Sequence, residues 1–254
     1  MSKLILPNTS LENIKMVIFD KDGTLIDVHH YWCSMIEYRA EFFVKHILIN
    51  DKEKDILYNE LIDGMGIDLE TKKMKVQGPV GIKPRSFIMN VTLDILREYD
   101  KSYTLEMVSE VFKEVDEYSQ EKLTKIVKPL AHMQRVLSDL HNANIKISIA
   151  TTDLTQRAIF AMKSLGVDGY FDDIVGADLV ERAKPNPDLV QYIVTKHNFS
   201  LDEVVVVGDS IADLEMAKNA KCKFIGVRTG LYGNSFIRKS RYLISTLEEL
   251  RIET

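Results

Sequence analysis

The sequence predicts an α/β fold in which a parallel sheet carries helices on both faces and a helical domain is inserted into the chain. From about residue 145 onward, short apolar runs alternate with helical patterns, which is typical of strands joined by crossover helices. Between the first predicted strand and the strand that starts near residue 145, the apolar residues recur with helical spacing only. We therefore predict a discontinuous core domain, residues 1–28 and 128–254, and an inserted helical domain, residues 29–127.

The first core strand is the apolar run Met16–Phe19, which leads directly into the segment DKDGT at residues 20–24. A strand that ends at Asp20 presents this side chain at the carboxyl edge of the sheet, where open α/β folds bind their ligands. Gly23 permits a sharp turn. Because side chains alternate along extended chain, Asp20 and Asp22 can act on one centre. The alternative is an ordinary strand-to-turn boundary, where Asp and Gly are common.

The inserted domain contains one segment that stands out, the basic loop at residues 72–85. Its glycines and prolines predict a loop, and Lys83 and Arg85 near its end could bind a second anionic group of a substrate. The alternative is a solvated charged loop. His29, near the junction of the domains, is a further candidate for substrate contact, with packing at a hinge as its alternative. The predicted helices of this domain run from about Tyr31 to Leu48, Lys52 to Asp63, Pro84 to Tyr99 and Leu105 to Ile126.

The second strand end lies in the segment Ile145–Asp153, where alternating apolar residues predict a strand. Thr151 and Thr152 follow it, immediately before a helical pattern at residues 154–165. Hydroxyls and free amides at the start of a helix form a favourable site for phosphate. The alternative is that Thr151, Thr152 or Asp153 serves only as a helix N-cap.

Lys184 lies in a loop that opens a helix at Pro187 or Asp188. A lysine fixed between a loop and a helix can neutralise a carboxylate and a phosphate together. The alternative is a solvated surface lysine.

The valine run Val204–Val207 predicts a central parallel strand that is buried on both faces. Asp209 follows this strand, and Asp213 lies about one helical turn further on, so both carboxylates can face the same point. Hard oxygen ligands of this kind suit Mg²⁺, which takes one or two carboxylates together with phosphate oxygens. The alternative is a helix-capping device.

Four segments in this order resemble the motifs of the haloacid dehalogenase superfamily of phosphohydrolases, with a Rossmann-like core. The inserted helical domain resembles the cap of phosphoglycolate phosphatase and β-phosphoglucomutase. The matches are Asp20-x-Asp22-Gly23-Thr24 for the first motif, Thr151 for the second, Lys184 for the third and Gly208-Asp209-Ser210-x-x-Asp213 for the fourth.

The resemblance implies a role for each matched residue. Asp20 would be the nucleophile that forms an aspartyl-phosphate, and Asp22 would be the general acid and base. The resemblance further implies that Mg²⁺ is held by Asp20, the backbone carbonyl of Asp22, Asp209 and Asp213, and that the phosphoryl oxygens are held by Thr151, Thr152 and Lys184. Lys21 departs from the apolar residue that is commoner in the family at this position. By alternation it should point away from the metal and alter packing or local charge.

The function that we predict is hydrolysis of the phosphate monoester of a small metabolite, such as a sugar phosphate or phosphoglycolate. An aspartate at residue 22 favours phosphate esters, since members that cleave other bonds lack an acid there. One alternative is a phosphomutase that returns the phosphoryl group to its substrate. Another is a non-catalytic binding protein, against which the intact charged residues argue.

The composition fits an enzyme of small soluble substrates. The formal net charge of -5 and a pI near 5.7 give no drive toward nucleic acid or acidic membranes. Two cysteines, Cys33 and Cys222, favour reduced thiols and a cytoplasmic location over a disulfide framework. No apolar stretch is long enough to cross a bilayer, and residues 1–6 are too short for a signal peptide. The pattern does not specify an oligomeric state.

Overall fold

A computed structural model describes residues 3–80, 83–231 and 240–253. The chain divides into two compact units. The core unit comprises Met1–Asp27 and Val127–Thr254, and the helical unit comprises Val28–Ile126.

Strands and helices follow in the order expected for an α/β core with a helical insertion. The strands are β1 (Lys3–Leu6), β2 (Thr9–Leu11), β3 (Met16–Phe19), β4 (Lys146–Ala150), β5 (Asp173–Val175), β6 (Val204–Gly208), β7 (Lys223–Val227), β8 (Tyr242–Ile244) and β9 (Arg251–Glu253). The α-helices are α1 (Val28–His46), α2 (Asp51–Met65), α3 (Arg85–Tyr99), α4 (Leu105–Gln120), α5 (Leu123–Ile126), α6 (Met133–Asn142), α7 (Thr155–Ser164), α8 (Asp188–His197) and α9 (Ile211–Ala220).

The core unit is built on a six-stranded sheet in the order β5-β4-β3-β6-β7-β8, and every neighbouring pair is parallel. The predicted α/β fold with a parallel sheet is thus confirmed. In the register of the three central strands, Phe19 of β3 lies beside Ile149 of β4 and Val207 of β6. The residues that follow these three strands therefore emerge at one edge of the sheet. Strands β2, β1 and β9 form a separate antiparallel sheet.

Both faces of the parallel sheet are buried. Met16 and Ile18 of β3 belong to a hydrophobic cluster with residues of β6, α8 and α9. Val17 and Phe19 point to the opposite face because side chains alternate along a strand, and they are also fully buried. Strands covered on both faces read as continuous apolar runs, which is why MVIF and VVVV are short and unbroken.

The helical unit packs α1 against α2 and α4, and α3 against α2 and α4. Helix α2 starts with a capping box in which Asn50 accepts the amide of Glu53, and it ends at Gly66 in the left-handed conformation. Within the unit, the buried guanidinium of Arg39 lies 4.4 Å from the ring centre of Phe112. Among the described residues, no helix has the length and apolarity needed to cross a membrane.

One predicted helix is wrong in its extent. Residues 105–126 do not form a single helix, because α4 ends at Gln120 and α5 starts at Leu123. The hydroxyl of the buried Ser119 donates to the backbone carbonyl of Asp116, a local hydrogen bond of the kind that competes with regular helix. The predicted short helix at the C-terminal end is a single 3-10 turn, Leu247–Glu249.

Candidate active site

Three strand ends bring the polar residues of the first, second and fourth motifs to one edge of the sheet. The amide of Asp20 donates to the carbonyl of Val207 at 2.8 Å, so the first residue after β3 is fixed beside the end of β6. The amide of Thr151, the first residue after β4, donates to the carbonyl of Val175 at 3.0 Å. Parallel pairing of the strands thus places Asp20, Thr151 and Asp209 at adjacent positions along the edge.

The turn after β3 closes on Asp209. Gly23 has a φ of +90°, and its amide donates to the carbonyl of Ile26 at 2.8 Å. A Cβ at Gly23 would lie 2.7 Å from Oδ2 of Asp209, so a larger residue has no room there. Thr24 donates to Oδ1 of Asp209 at 3.3 Å. This turn therefore both positions and encloses the Asp209 carboxylate.

The loop after β7 encloses the same carboxylate from another direction. A Cβ on Gly230 would overlap the Asp209 side chain, and the hydroxyl of the neighbouring Thr229 donates to the carbonyl of Gly23 at 2.6 Å. Neither Thr229 nor Gly230 was predicted from the sequence. The signal that could have identified them is their position immediately beyond the next parallel strand after the fourth motif.

A cluster of three buried carboxylates forms the centre of this edge. Asp20, Asp209 and Asp213 each offer a carboxylate oxygen, and these oxygens lie within 4.8 Å of one another. Asp213 is oriented by the start of α9, where its Oδ2 accepts hydrogen bonds from the amide of Ser210 at 3.1 Å and from its hydroxyl at 2.6 Å. Asp213 thus takes part in helix capping, the alternative predicted for it, and also belongs to the carboxylate cluster.

Lys184 is the positive charge of the cluster. Its side chain is only 2% exposed, and its Nζ lies 2.5 Å from Oδ1 of Asp20 and 2.6 Å from Oδ1 of Asp213. The alternative of a solvated surface lysine is therefore excluded. Burial alone would lower the pKa of Lys184, but the two carboxylates raise it above its ordinary value, so the side chain is a permanent cation.

Two carboxylates of the cluster, those of Asp20 and Asp209, have raised pKa values, and burial is the largest cause in both. Burial, together with the charges of Asp213 and Asp22, raises the pKa of Asp20 to about 7 in spite of Lys184. Burial and the charges of Asp20 and Asp213 raise the pKa of Asp209 well above its ordinary range. A site made of hard carboxylate oxygens with excess negative charge fits a divalent cation such as Mg²⁺, which would favour the ionised forms.

Asp22 forms an ion pair with its neighbour in the chain. Its Oδ1 lies 2.8 Å from Nζ of Lys21, whose side chain is fully buried. Burial raises the pKa of Asp22 above its ordinary value, although the charge of Lys21 acts in the opposite direction. Lys21 Nζ also lies 3.1 Å from Oδ2 of Asp153. These two partners of Lys21 were not predicted from the sequence.

The segment after β4 forms a turn before α7. Thr151 is fully buried and its hydroxyl accepts the amide of Asp153 at 3.1 Å, whereas Thr152 is exposed. Asp153 accepts the amide of Leu154 at 2.8 Å and forms an ion pair with Arg157 at 3.2 Å. Arg157 was missed, although its position four residues after Asp153 is a signal for such a pair.

The candidates for substrate contact in the helical unit have partners within that unit. Arg85 forms an ion pair with Asp116 at 2.7 Å, Nζ of Lys83 lies 5.8 Å from the ring centre of Phe87, and His29 accepts the amide of Met74 at 3.2 Å. Two residues of the predicted basic loop, 81 and 82, lie outside the described residues.

Most of the chain matches one known protein family. A model of the haloacid dehalogenase-like hydrolases matches residues 17–227, a range that starts in β3 and ends in β7. The chain belongs to this family. The match includes the turn after β3, Lys184, Asp209 and Asp213, so the cluster lies within the residues that the family model matches.

Individual proteins are similar to this chain over most of its length. The pyrophosphatase PpaX of Halalkalibacterium halodurans is 28% identical over 240 residues, which are 93% of this chain and 95% of that protein. A phosphoglycolate phosphatase of Vibrio vulnificus is 24% identical over 227 residues, 86% of each chain. The crystal structure of a predicted phosphoglycolate phosphatase from Haemophilus somnus has the same fold, with a TM-score of 0.67 at 18% identity over 92% of this chain and 95% of that one.

Proposed function

We propose that this hydrolase is a Mg²⁺-dependent phosphatase that acts on the phosphate monoester of a small metabolite through an aspartyl-phosphate on Asp20. The observation that carries the proposal is the buried cluster of Asp20, Asp209 and Asp213 around Lys184 at the carboxyl edge of the sheet. The names of the two relatives, a pyrophosphatase and a phosphoglycolate phosphatase, support phosphorus chemistry on a small substrate.

The proposed reaction has two steps, and the chain supplies the nucleophile and the proton. In the first, a carboxylate oxygen of Asp20 bonds to phosphorus, the ester P–O bond breaks, and Asp22 gives a proton to the leaving oxygen. In the second, a water molecule attacks the aspartyl-phosphate, Asp22 accepts a proton from this water, and phosphate leaves with Asp20 restored.

The remaining residues of the cluster bind and orient. Lys184 can offer its charge to a phosphoryl oxygen while it stays paired with Asp20, and Thr151 and Thr152 are proposed to bind the other phosphoryl oxygens. Asp20, Asp209, Asp213 and the backbone carbonyl of Asp22 would hold Mg²⁺. When bound, this cation neutralises the charge that accumulates between the carboxylates and the phosphoryl group.

We propose that the inserted helical unit determines the substrate specificity. Lys83, Arg85 and His29 are the candidates in it for recognition of groups beyond the phosphate. We propose residues 29–127 as the limits of this domain. We further propose that the substrate of the protein is a small phosphorylated metabolite and that the protein acts in the cytoplasm.

The test is phosphate release from a panel that includes phosphoglycolate, sugar phosphates and pyrophosphate, with and without Mg²⁺. The native enzyme is compared with Asp20→Asn and with Asp139→Asn, the same change at a surface ion pair. We expect metal-dependent release that falls at least about 10³-fold in Asp20→Asn only. Phosphate transfer within a sugar bisphosphate without net release would identify a mutase instead. No turnover of either kind would identify a binding protein.

A further inference from the structure

Lys21 is a fully buried lysine inside the turn that carries the nucleophile and the acid, yet the reaction proposed above gives it no task. Burial of an ammonium group is costly unless the charge is paired and hydrogen-bonded. The side chain of Lys21 has no solvent exposure, and its Nζ contacts two carboxylates, those of Asp22 and Asp153. Packing of apolar atoms alone does not account for a fully buried ammonium group at this position.

The backbone of Lys21 is fixed as firmly as its side chain. Its carbonyl accepts the amides of Leu25 at 2.9 Å and Ile26 at 3.0 Å, so it closes the turn after β3. The ammonium group is therefore presented from a rigid backbone. If the Asp22 carboxylate adopted a different rotamer, the ammonium group could follow it only by breaking its own contact with Asp153.

Asp153 is fixed on the other side. Its Oδ1 accepts the amide of Leu154 at 2.8 Å and pairs with Arg157 at 3.2 Å, while Oδ2 faces Lys21 at 3.1 Å. The chain of contacts thus runs from α7 through Asp153 and Lys21 to Asp22. When Asp22 is ionised, the charges of Asp22 and Asp153 balance those of Lys21 and Arg157.

We propose that Lys21 is a positioning residue that holds the Asp22 carboxylate in the orientation needed for proton transfer to the leaving oxygen. Lys21 occupies Oδ1 of Asp22 and thereby leaves Oδ2 as the oxygen that carries the proton. When the P–O bond breaks, the proton passes from Oδ2 to the leaving oxygen, and Lys21 remains a cation throughout. This assignment rests on the proposed function of Asp22.

The competing explanation is that Lys21 serves only to neutralise the buried Asp153. Two variants separate these explanations. Lys21→Met removes the cation and leaves an uncompensated carboxylate, whereas Lys21→Met combined with Asp153→Asn restores the charge balance and retains an amide oxygen for the Leu154 amide. Asp153→Asn alone keeps the contact between Lys21 and Asp22.

The first readout is the dependence of kcat on the leaving group. Displacement of the general acid Asp22 should lower kcat most when the leaving alcohol is a poor leaving group. We therefore compare an alkyl phosphate with p-nitrophenyl phosphate. We expect the double variant to fold, with a loss of stability because the buried Arg157 loses its ion pair. It should lose kcat about 10²-fold on the alkyl ester, with a clearly smaller loss on the aryl ester and little change in KM. Asp153→Asn, which keeps the contact between Lys21 and Asp22, should lose clearly less kcat on the alkyl ester than the double variant.

Recovery of native kcat in the double variant, or equal losses on the two esters, would overturn the assignment. A second readout does not depend on turnover. In crystal structures, the Asp22 carboxylate should keep its orientation in Asp153→Asn and leave it in the double variant, and an unchanged orientation in both would also overturn the assignment. An inactive native enzyme would refute the proposed function, and the crystallographic comparison would still decide the role of Lys21.

Discussion

The ammonium group of Lys184 lies 2.5 Å from Oδ1 of Asp20, although the two residues are 164 positions apart in the chain. The contact joins the loop before α8 to the end of β3 and places a cation among three buried carboxylates. Lys184 therefore has a structural task in addition to the proposed catalytic one, because its charge compensates two of the three buried acids.

We expect Lys184→Met to destabilise the metal-free protein by about 3 kcal/mol or more, because removal of one partner of a buried ion pair leaves the other uncompensated. Urea unfolding in EDTA measures this change. Lys163→Ala, at an exposed position on α7, is the control and should stay within about 0.5 kcal/mol of the native protein. Asp20→Asn added to Lys184→Met should recover part of the loss, and a further loss in this double variant would contradict the charge argument.

Mg²⁺ should raise the melting temperature of the native chain, since a ligand that binds only the folded state stabilises it. At about 100 times the dissociation constant the gain is about 2.7 kcal/mol, which for a chain of this size amounts to about 5 °C or more. Thermal scans in MgCl₂ and in NaCl of equal ionic strength measure the shift. Asp209→Asn should abolish the shift and Asp139→Asn should retain it. An equal shift in both variants would exclude the proposed site.

Arg85→Ala should lower kcat/KM for substrates that carry a second anionic group more than for p-nitrophenyl phosphate, which carries none. The change also breaks the ion pair with Asp116, so Asp116→Asn is the matched control. That control removes the same pair but keeps the cation, and its cost in stability should be about 1 kcal/mol or less. If both variants lose activity equally on every substrate, Arg85 has a structural role only.

Cys222 should resist alkylation in the folded protein at pH 8. Burial raises the pKa of its thiol to about 12, so the reactive thiolate is scarce at this pH. In a Cys33→Ser variant, which retains Cys222 as the only thiol, the rate with iodoacetamide should rise about tenfold per pH unit as the pH increases toward 12. Urea should abolish the protection at pH 8. Rapid reaction of the folded variant at pH 8 would show that the pKa of the Cys222 thiol is not raised.

Much of the core fold was predictable because its signals are local. Continuous apolar runs such as MVIF and VVVV indicate strands buried on both faces. Asp20 directly follows the first run, and Gly208 and Asp209 follow the second. The break between α4 and α5 was not predictable, because the helical periodicity continues through residues 121 and 122. It is accompanied by a side-chain hydrogen bond of Ser119 that the pattern does not reveal.

The sequence by itself determined the α/β class, the parallel sheet and the residue types at each strand end, because strand periodicity and glycine turns act over a few neighbouring residues. Only the tertiary structure decided which charges meet. Lys184 contacts Asp20 and Asp213, and Lys21 contacts Asp153, because parallel pairing brings loops from distant parts of the chain to one edge. Ion pairing depends on distances of a few ångströms between such loops, and no local pattern in the sequence encodes these distances.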